Sequence, residues 1–421
     1  MRKEKTDMTL KDQYIIPKRY NTLSLVLMGV GLLSLIILFL TNGISSNEHE
    51  RARFWASLLQ NSVYFLLVVN AAMFFITATT LAWGGWQLSF RRVTEAISAC
   101  VPVMSIITFI ILMVLVFGGN HTIYHWTDAE HVQHDPILLH KSGFLSKGFF
   151  TVWTIITLAG WWLLGKKVRS MSLETDNNPM NVEAGRRWIF KNTVWSAIYI
   201  ILFALTVASS IPWLWLMSID AHWYSTMYSW YTFASTFVAG IALITLYVVF
   251  MKNNGYLEYT NREHLHDLGK FIFAFSIFWT YLWFSQFMLI WYANIPEETV
   301  YFKPRLQGPY RAIFWLNLII NFLAPLLIFM RRGSKRNYGT VAMMSILILF
   351  GHWLDFYQMV FPGVMKDATT GQTRVPFMLP DLGIALGFVG IIMFVTARYM
   401  AKHPLLARNH PFLKESIVHH T

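Results

Sequence analysis

The run FGHWLDFYQ at 350–358 holds the residues best placed to do chemistry in an otherwise apolar stretch. His352 and Asp355 stand three apart, so on a helix they share one face. Of 22 acidic residues only Asp355 falls in the core of a long apolar run, with Asp381 at a rim, and of 14 histidines only His352 does. At 1.5 Å per residue, Asp355 lies about 24 Å from one end of its run and about 9 Å from the other. An ionisable group at such depth is costly unless it is paired or hydrated. Two readings follow: a buried His–Asp pair, with Tyr357 or Gln358 nearby, that orients helices, or a group that handles protons or contacts a quinone.

Other polar groups cluster at the ends of apolar runs. SIDAHWYSTMYSW carries Asp220, His222 and Tyr224 in a connection without basic residues. It reads either as an aromatic interface anchor or as the lining of a proton exit. NNGYLEYTNREHLHDLGK concentrates Glu258, Glu263, His264, His266 and Asp267 just before a run that presents Ser276, Thr280, Tyr281, Ser285 and Gln286. Ser276/Thr280 and Tyr281/Ser285 are i,i+4 pairs, which permits a hydroxyl-lined route inward from an acidic mouth. Helix-dipole compensation by the acids and ordinary back-bonding by the hydroxyls is the alternative. His121, His125, His131, His134 and His140 accompany Asp128, Glu130 and Asp135 without a zinc-binding pattern, as expected of a solvated or partner-facing loop. Asn317 and Asn321, four apart, precede the mid-run Pro325, which predicts a kinked helix with satisfied amides or a polar track.

These groups are positioned by apolar segments at 22–41, 57–82, 96–118, 148–165, 192–213, 229–251, 271–293, 312–330, 339–361 and 382–401, about half of the 421 residues. Each has the roughly 20 residues that cross a bilayer. The chain is 55% hydrophobic and only 13% charged, too little to coat soluble domains. We therefore expect an all-α polytopic membrane protein: a cytoplasmic segment 1–21, a ten-helix domain 22–401 and a cytoplasmic tail 402–421. The first run is too long for a typical signal-peptide core and reads as a retained helix. The net charge of +12 is topological: 25 of the 34 Lys and Arg fall on the side of both termini, which marks that side as cytoplasmic, and nucleic acid is not expected as a partner. The single Cys100 excludes an internal disulfide, and one membrane histidine excludes the paired ligands of a haem-bearing cytochrome b. No connection is long enough for a cofactor domain, so any dinucleotide or cluster would belong to a partner.

The run NREHLHDLGKFIFAFSIFWTYLWFSQFMLIWYANIPEE resembles a signature of NrfD-like membrane subunits of bacterial alternative complex III, and SIDAHWYSTMYSWYTFASTFVAG and GHWLDFYQMVFPG resemble that family as well. The similarity extends over nearly the whole ten-span layout. It implies two four-helix bundles, at about 57–213 and 229–361, plus two peripheral helices. It also implies a subunit of a respiratory quinol-oxidising complex in the bacterial inner membrane, without a redox centre of its own. The implied partners are lipids, a larger NrfD-like paralogue, an outer-side iron–sulfur protein, c-type cytochrome subunits, small membrane-anchored subunits and a terminal cytochrome oxidase that can associate. Quinol (menaquinol in many bacteria), haem c and iron–sulfur clusters would sit in those partners, and the family's quinol site is assigned to the larger paralogue. This subunit is similar to a scaffold with a candidate proton half-channel. His352 and Asp355 match the GHWLDFYQ stretch, and Asp220 and His222 the HWYST stretch. A proton-coupled secondary transporter is the alternative from another class, and the scarcity of mid-span prolines argues against it.

Overall fold

The computed structural model describes residues 11–119, 121–365 and 379–420. The first ten residues of the expected N-terminal segment lie outside the described residues, as does 366–378, with Lys366 and Arg374 of the charge count. Among the described residues there is no strand, and ten helices are long and apolar enough to cross a membrane. They are α1 Lys18–Gly43, α2 Glu48–Leu81, α3 Arg91–Phe117, α4 Lys147–Asp176, α5 Val182–Trp215, α6 Met227–Asn253, α7 Arg262–Ala293, α8 Gly308–Phe329, α9 Tyr338–Val364 and α10 Leu379–Lys402. The chain is a multi-pass, all-α membrane protein.

Several of these helices outrun the apolar segments that announced them, and polar caps start α2, α5 and α7 early. Asn47 accepts from the His49 amide at 3.0 Å, with Glu48 and Glu50 in the favourable first turn. Asn181 caps α5, Asn337 caps α9, and Asn261 forms a reciprocal cap with His264 at the start of α7. Charged side chains end an apolar run without ending a helix.

Packing groups the helices in fours. α2 lies against α3 and α5, and α4 closes that ring. α6 lies against α7 and α9, and α8 closes the second ring. The rings meet where α2 packs on α6 and α9. α1 and α10 form a separate pair against this seam, drawn together by glycines. A Cβ on Gly387 would stand 2.7 Å from the Cα of Gly31, and one on Gly390 would stand 2.8 Å from the Ser24 carbonyl oxygen. In lipid, where helices gain no hydrophobic drive from association, such close backbone approach supplies the packing. The outer face of α1 displays Val26, Leu32 and Leu33, an apolar surface suited to bilayer contact.

Among the described residues three spans are interrupted, and the first is α3, which breaks at Ala99–Cys100 shortly before Pro102. α5 widens to π geometry at Thr206–Ser210, shortly before Pro212, and α8 does so at Ile319–Leu323, shortly before Pro325. Proline donates no N–H and crowds the preceding turn, and the wider turn accommodates both effects. By sequence only Pro325 is a conspicuous mid-span proline. The structure adds the breaks in α3 and α5, because a proline near an apolar run's end still lies within a longer helix.

Candidate functional site

Asp355 sits at the centre of the second ring, fully buried, and every helix of that ring contributes to its surroundings. From α6, the hydroxyls of Tyr231 and Ser235, four residues apart on one face, donate to it, Ser235 at 2.8 Å. From α7, the Trp279 indole N–H donates at 2.9 Å. From α8, the Asn317 amide donates at 2.8 Å, and Asn321 in turn donates to the Asn317 oxygen at 2.5 Å. One carboxylate oxygen accepts from Tyr231 and Asn317, the other from Ser235 and Trp279. Four donors converging on two oxygens match an ionised carboxylate, which only accepts. Charge-assisted bonds of this kind are the stronger ones and make a buried charge tolerable.

His352 stands one turn away, its Nδ1 3.8 Å from Asp355 and 3.0 Å from the Ser235 hydroxyl oxygen. The single Ser235 proton is engaged by Asp355, so the proton in the His352–Ser235 bond belongs to Nδ1. Nε2 of the neutral ring then bears the free lone pair. It is buried with no bonded partner among the described residues, as are the Asn321 oxygen, the Ser276 hydroxyl and the Gln286 amide nitrogen. The centre therefore combines a fixed anion with nearby unengaged polar atoms.

Away from the basic side, polar groups continue. Tyr231 lies beside Tyr228, with ring centroids 6.4 Å apart, and Tyr228 beside Tyr301 at 6.1 Å. Burial pushes the Tyr301 phenol up to about 12 against the opposing effect of Arg305, which lies over its ring, while Asp355 and Asp220 add to the rise. Asp220 is half-buried at the end of α9, where a Cβ on Gly363 would come 2.8 Å from its carboxylate. His222 turns away to meet Asp135 at 2.5 Å, tying the connection after α5 to the histidine-rich one after α3. There Asp128 and Asp135 cap short helices through the amides of Glu130 and of Ile137 and Leu138.

Toward the basic side lie first the unengaged atoms of His352, Asn321 and Ser276, and beyond them the environment turns apolar. Asp267, Phe271, Phe275 and Trp279 follow one another at four-residue spacing on one face of α7. About 18 Å therefore separates the carboxylate of the mouth from the indole that holds Asp355. Phe275 meets Phe237 at 4.5 Å, and Phe237 meets Phe74 of α2 at 5.1 Å, so three helices fill this interval with rings. The mouth itself is occupied. Glu263 pairs with Arg336 through bonds of 2.9 and 2.5 Å, and Asp267 with Lys270 at 2.5 Å and His419 at 2.6 Å. His266 is buried beside Asp267. His264 caps Asn261 and reaches Ser416 of the C-terminal tail at 3.2 Å.

The proposed hydroxyl face on α7 does not form. Tyr281 is 62% exposed and faces outward, Ser285 is half-buried, and Thr280 back-bonds to the Ser276 carbonyl at 2.8 Å. At about 100° per residue the two i,i+4 pairs lie roughly 140° apart around the helix, so they cannot line one route. The residues that sequence reasoning missed are Tyr231, Ser235 and Trp279. Only the Tyr231/Ser235 spacing hinted at a polar face on α6. Also missed were two buried charge clusters: Arg53 with Asp381 at 2.6 Å, and Glu95 with Arg91 at 2.9 Å and Arg92 at 2.6 Å. They tie α2 to α10 and brace the start of α3. Among the described residues, no three His, Cys, Asp or Glu side chains are grouped as a metal site. Neither a protein-family profile nor a characterised protein matches this chain.

Proposed function

We propose that this chain is the smaller NrfD-like membrane subunit of a bacterial respiratory quinol-oxidising complex of the alternative complex III type. It holds the membrane arm together and carries a proton half-channel ending at Asp355. The basic side faces the cytoplasm, in the inner membrane. The larger paralogue, the iron–sulfur protein and the cytochrome c subunits supply quinol oxidation and the redox groups. The observation that carries the reading is the asymmetry around Asp355. Polar groups extend from it through Tyr231, Tyr228 and Tyr301 to Asp220 on one side, while on the other, beyond His352 and Asn321, stand the Phe271, Phe275 and Phe237 rings. A half-channel needs a buried titratable terminus with polar groups leading toward one face. The His352 Nε2 lone pair beside it offers a second proton-holding atom.

Purification in a mild detergent tests the assignment. Co-purification with haem c and iron–sulfur subunits supports it, and a stable oligomer of this chain alone that binds a solute overturns it. The second reading, a proton-coupled transporter, draws support from the paired interruptions of α5 and α8, since transporters build midplane sites from broken helices. Solute-dependent proton uptake by the reconstituted chain would favour that reading.

A further inference from the structure

A laterally open cavity of about 520 Å³ lies between the α1–α10 pair and the seam of α2, α6 and α9. That is within the roughly 300–1,000 Å³ of small-molecule sites. Its walls are hydrocarbon, and the polar groups they contain are engaged elsewhere. The Tyr64 hydroxyl donates to the Leu349 carbonyl at 2.6 Å, the Trp353 indole to Asn61 at 2.8 Å, and Tyr20 bonds Tyr247 at 3.2 Å. An occupant with ring carbonyls, such as a quinone head, finds no free donor there. A plain hydrocarbon chain fits.

The mouth is rimmed by Leu23, Ile346, Phe350 and Leu386, all exposed at membrane depth on spanning helices. The cavity thus opens to the lipid phase rather than to water. Along α10 it runs from Leu382 to Met393, about 17 Å at 1.5 Å per residue, a length that suits an extended acyl chain. It ends at Tyr20 and Phe250 on the basic side, where Lys18 and Arg19 immediately precede Tyr20. Both cations are exposed. At the other end Arg53, the nearby cation, is already paired with Asp381. Positive charge is offered at one end only.

We propose that this cavity is a binding site for one anionic phospholipid. One acyl chain lies between α1–α10 and the α2/α6/α9 seam, and the phosphate sits against Lys18 and Arg19. The lipid completes the contact between the peripheral pair and the bundles where side chains leave it open.

The test is native mass spectrometry of the protein purified in mild detergent, stripped by detergent exchange and then titrated with phosphatidylglycerol or phosphatidylcholine. The wild type is expected to retain one phospholipid and to prefer phosphatidylglycerol. Leu386→Trp and Ile346→Trp place bulk at exposed mouth positions that the fold tolerates. Each should weaken retention roughly tenfold, the effect of excluding about two methylenes. Lys18→Gln with Arg19→Gln should abolish the preference for phosphatidylglycerol while leaving phosphatidylcholine binding unchanged. Equal retention in the wild type and both tryptophan variants overturns the site. So does a quinone recovered in place of phospholipid. An unchanged headgroup preference in the double glutamine variant overturns the anionic assignment.

Discussion

Replacing Asp355 with asparagine removes one charge and almost no volume, so its cost can be worked from the bonds. The carboxylate accepts from Tyr231, Ser235, Trp279 and Asn317. An asparagine oxygen can keep two of these donors, but its amide nitrogen faces the other two with N–H groups. Two buried donors are left without acceptors, at about 1–3 kcal/mol each, and the kept bonds lose their charge assistance. The sum is about 2–6 kcal/mol, moderated by the desolvation cost that the lost charge no longer incurs. Thermal unfolding of the purified protein reads this directly, and Asp355→Asn should unfold well below the wild type. Trp279→Phe supplies the cross-check: it should cost less in the Asp355→Asn background than alone, because the indole has already lost its acceptor. In the assembled complex, Asp355→Asn should also lower turnover or charge translocation. Unfolding within about 0.5 kcal/mol of the wild type, the range of an ordinary surface change, would refute the account of a donor-held buried anion. Normal activity with normal assembly would remove Asp355 from the proton route.

Three further outcomes are expected. Gly351→Ala places a methyl against the Asn321 oxygen and Ile320, displacing the amide chain that leads to Asp355, and should destabilise by about 1–3 kcal/mol in thermal unfolding. Gly387→Leu forces α10 from α1 and should raise protease cleavage near α1 while sparing the bundles, read by limited proteolysis and peptide mapping. The Asp135 carboxyl, despite desolvation, is held below its ordinary range by the His222 bond and the Leu138 and Ile137 amides. A depressed carboxyl stabilises above its ordinary pKa of about 3.9 and loses that contribution as pH falls through the lower folded value. The stability gap between wild type and Asp135→Asn should therefore be full at neutral pH and shrink only in acid, and a gap independent of pH contradicts the pairing.

Much of the architecture was legible in the amino-acid order. Runs of about 20 apolar residues located ten spans, because a bilayer core admits little else. The isolation of Asp355 and His352 in such a run singled out the centre of the site, and Asn317, flagged by its spacing from Asn321 and Pro325, reaches Asp355. Helix ends were less legible: the caps at Asn47, Asn181 and Asn261 extend helices through charged residues that a hydropathy reading takes as boundaries.

Which residues meet was decided by tertiary structure alone. In lipid, apolar side chains are equally at home facing a neighbour helix or the bilayer, so composition cannot say which face turns inward. That is why Tyr281 and Ser285 seemed to offer a route while Tyr231, Ser235 and Trp279, no more conspicuous in the sequence, hold the carboxylate. It is also why Arg53 and Asp381, 328 residues apart, form a buried pair that no spacing could announce. The sequence by itself determined that the chain spans a membrane, and where an anion is buried within it. Close packing of the helices decided what stabilises that anion, and on which side rings shut it off.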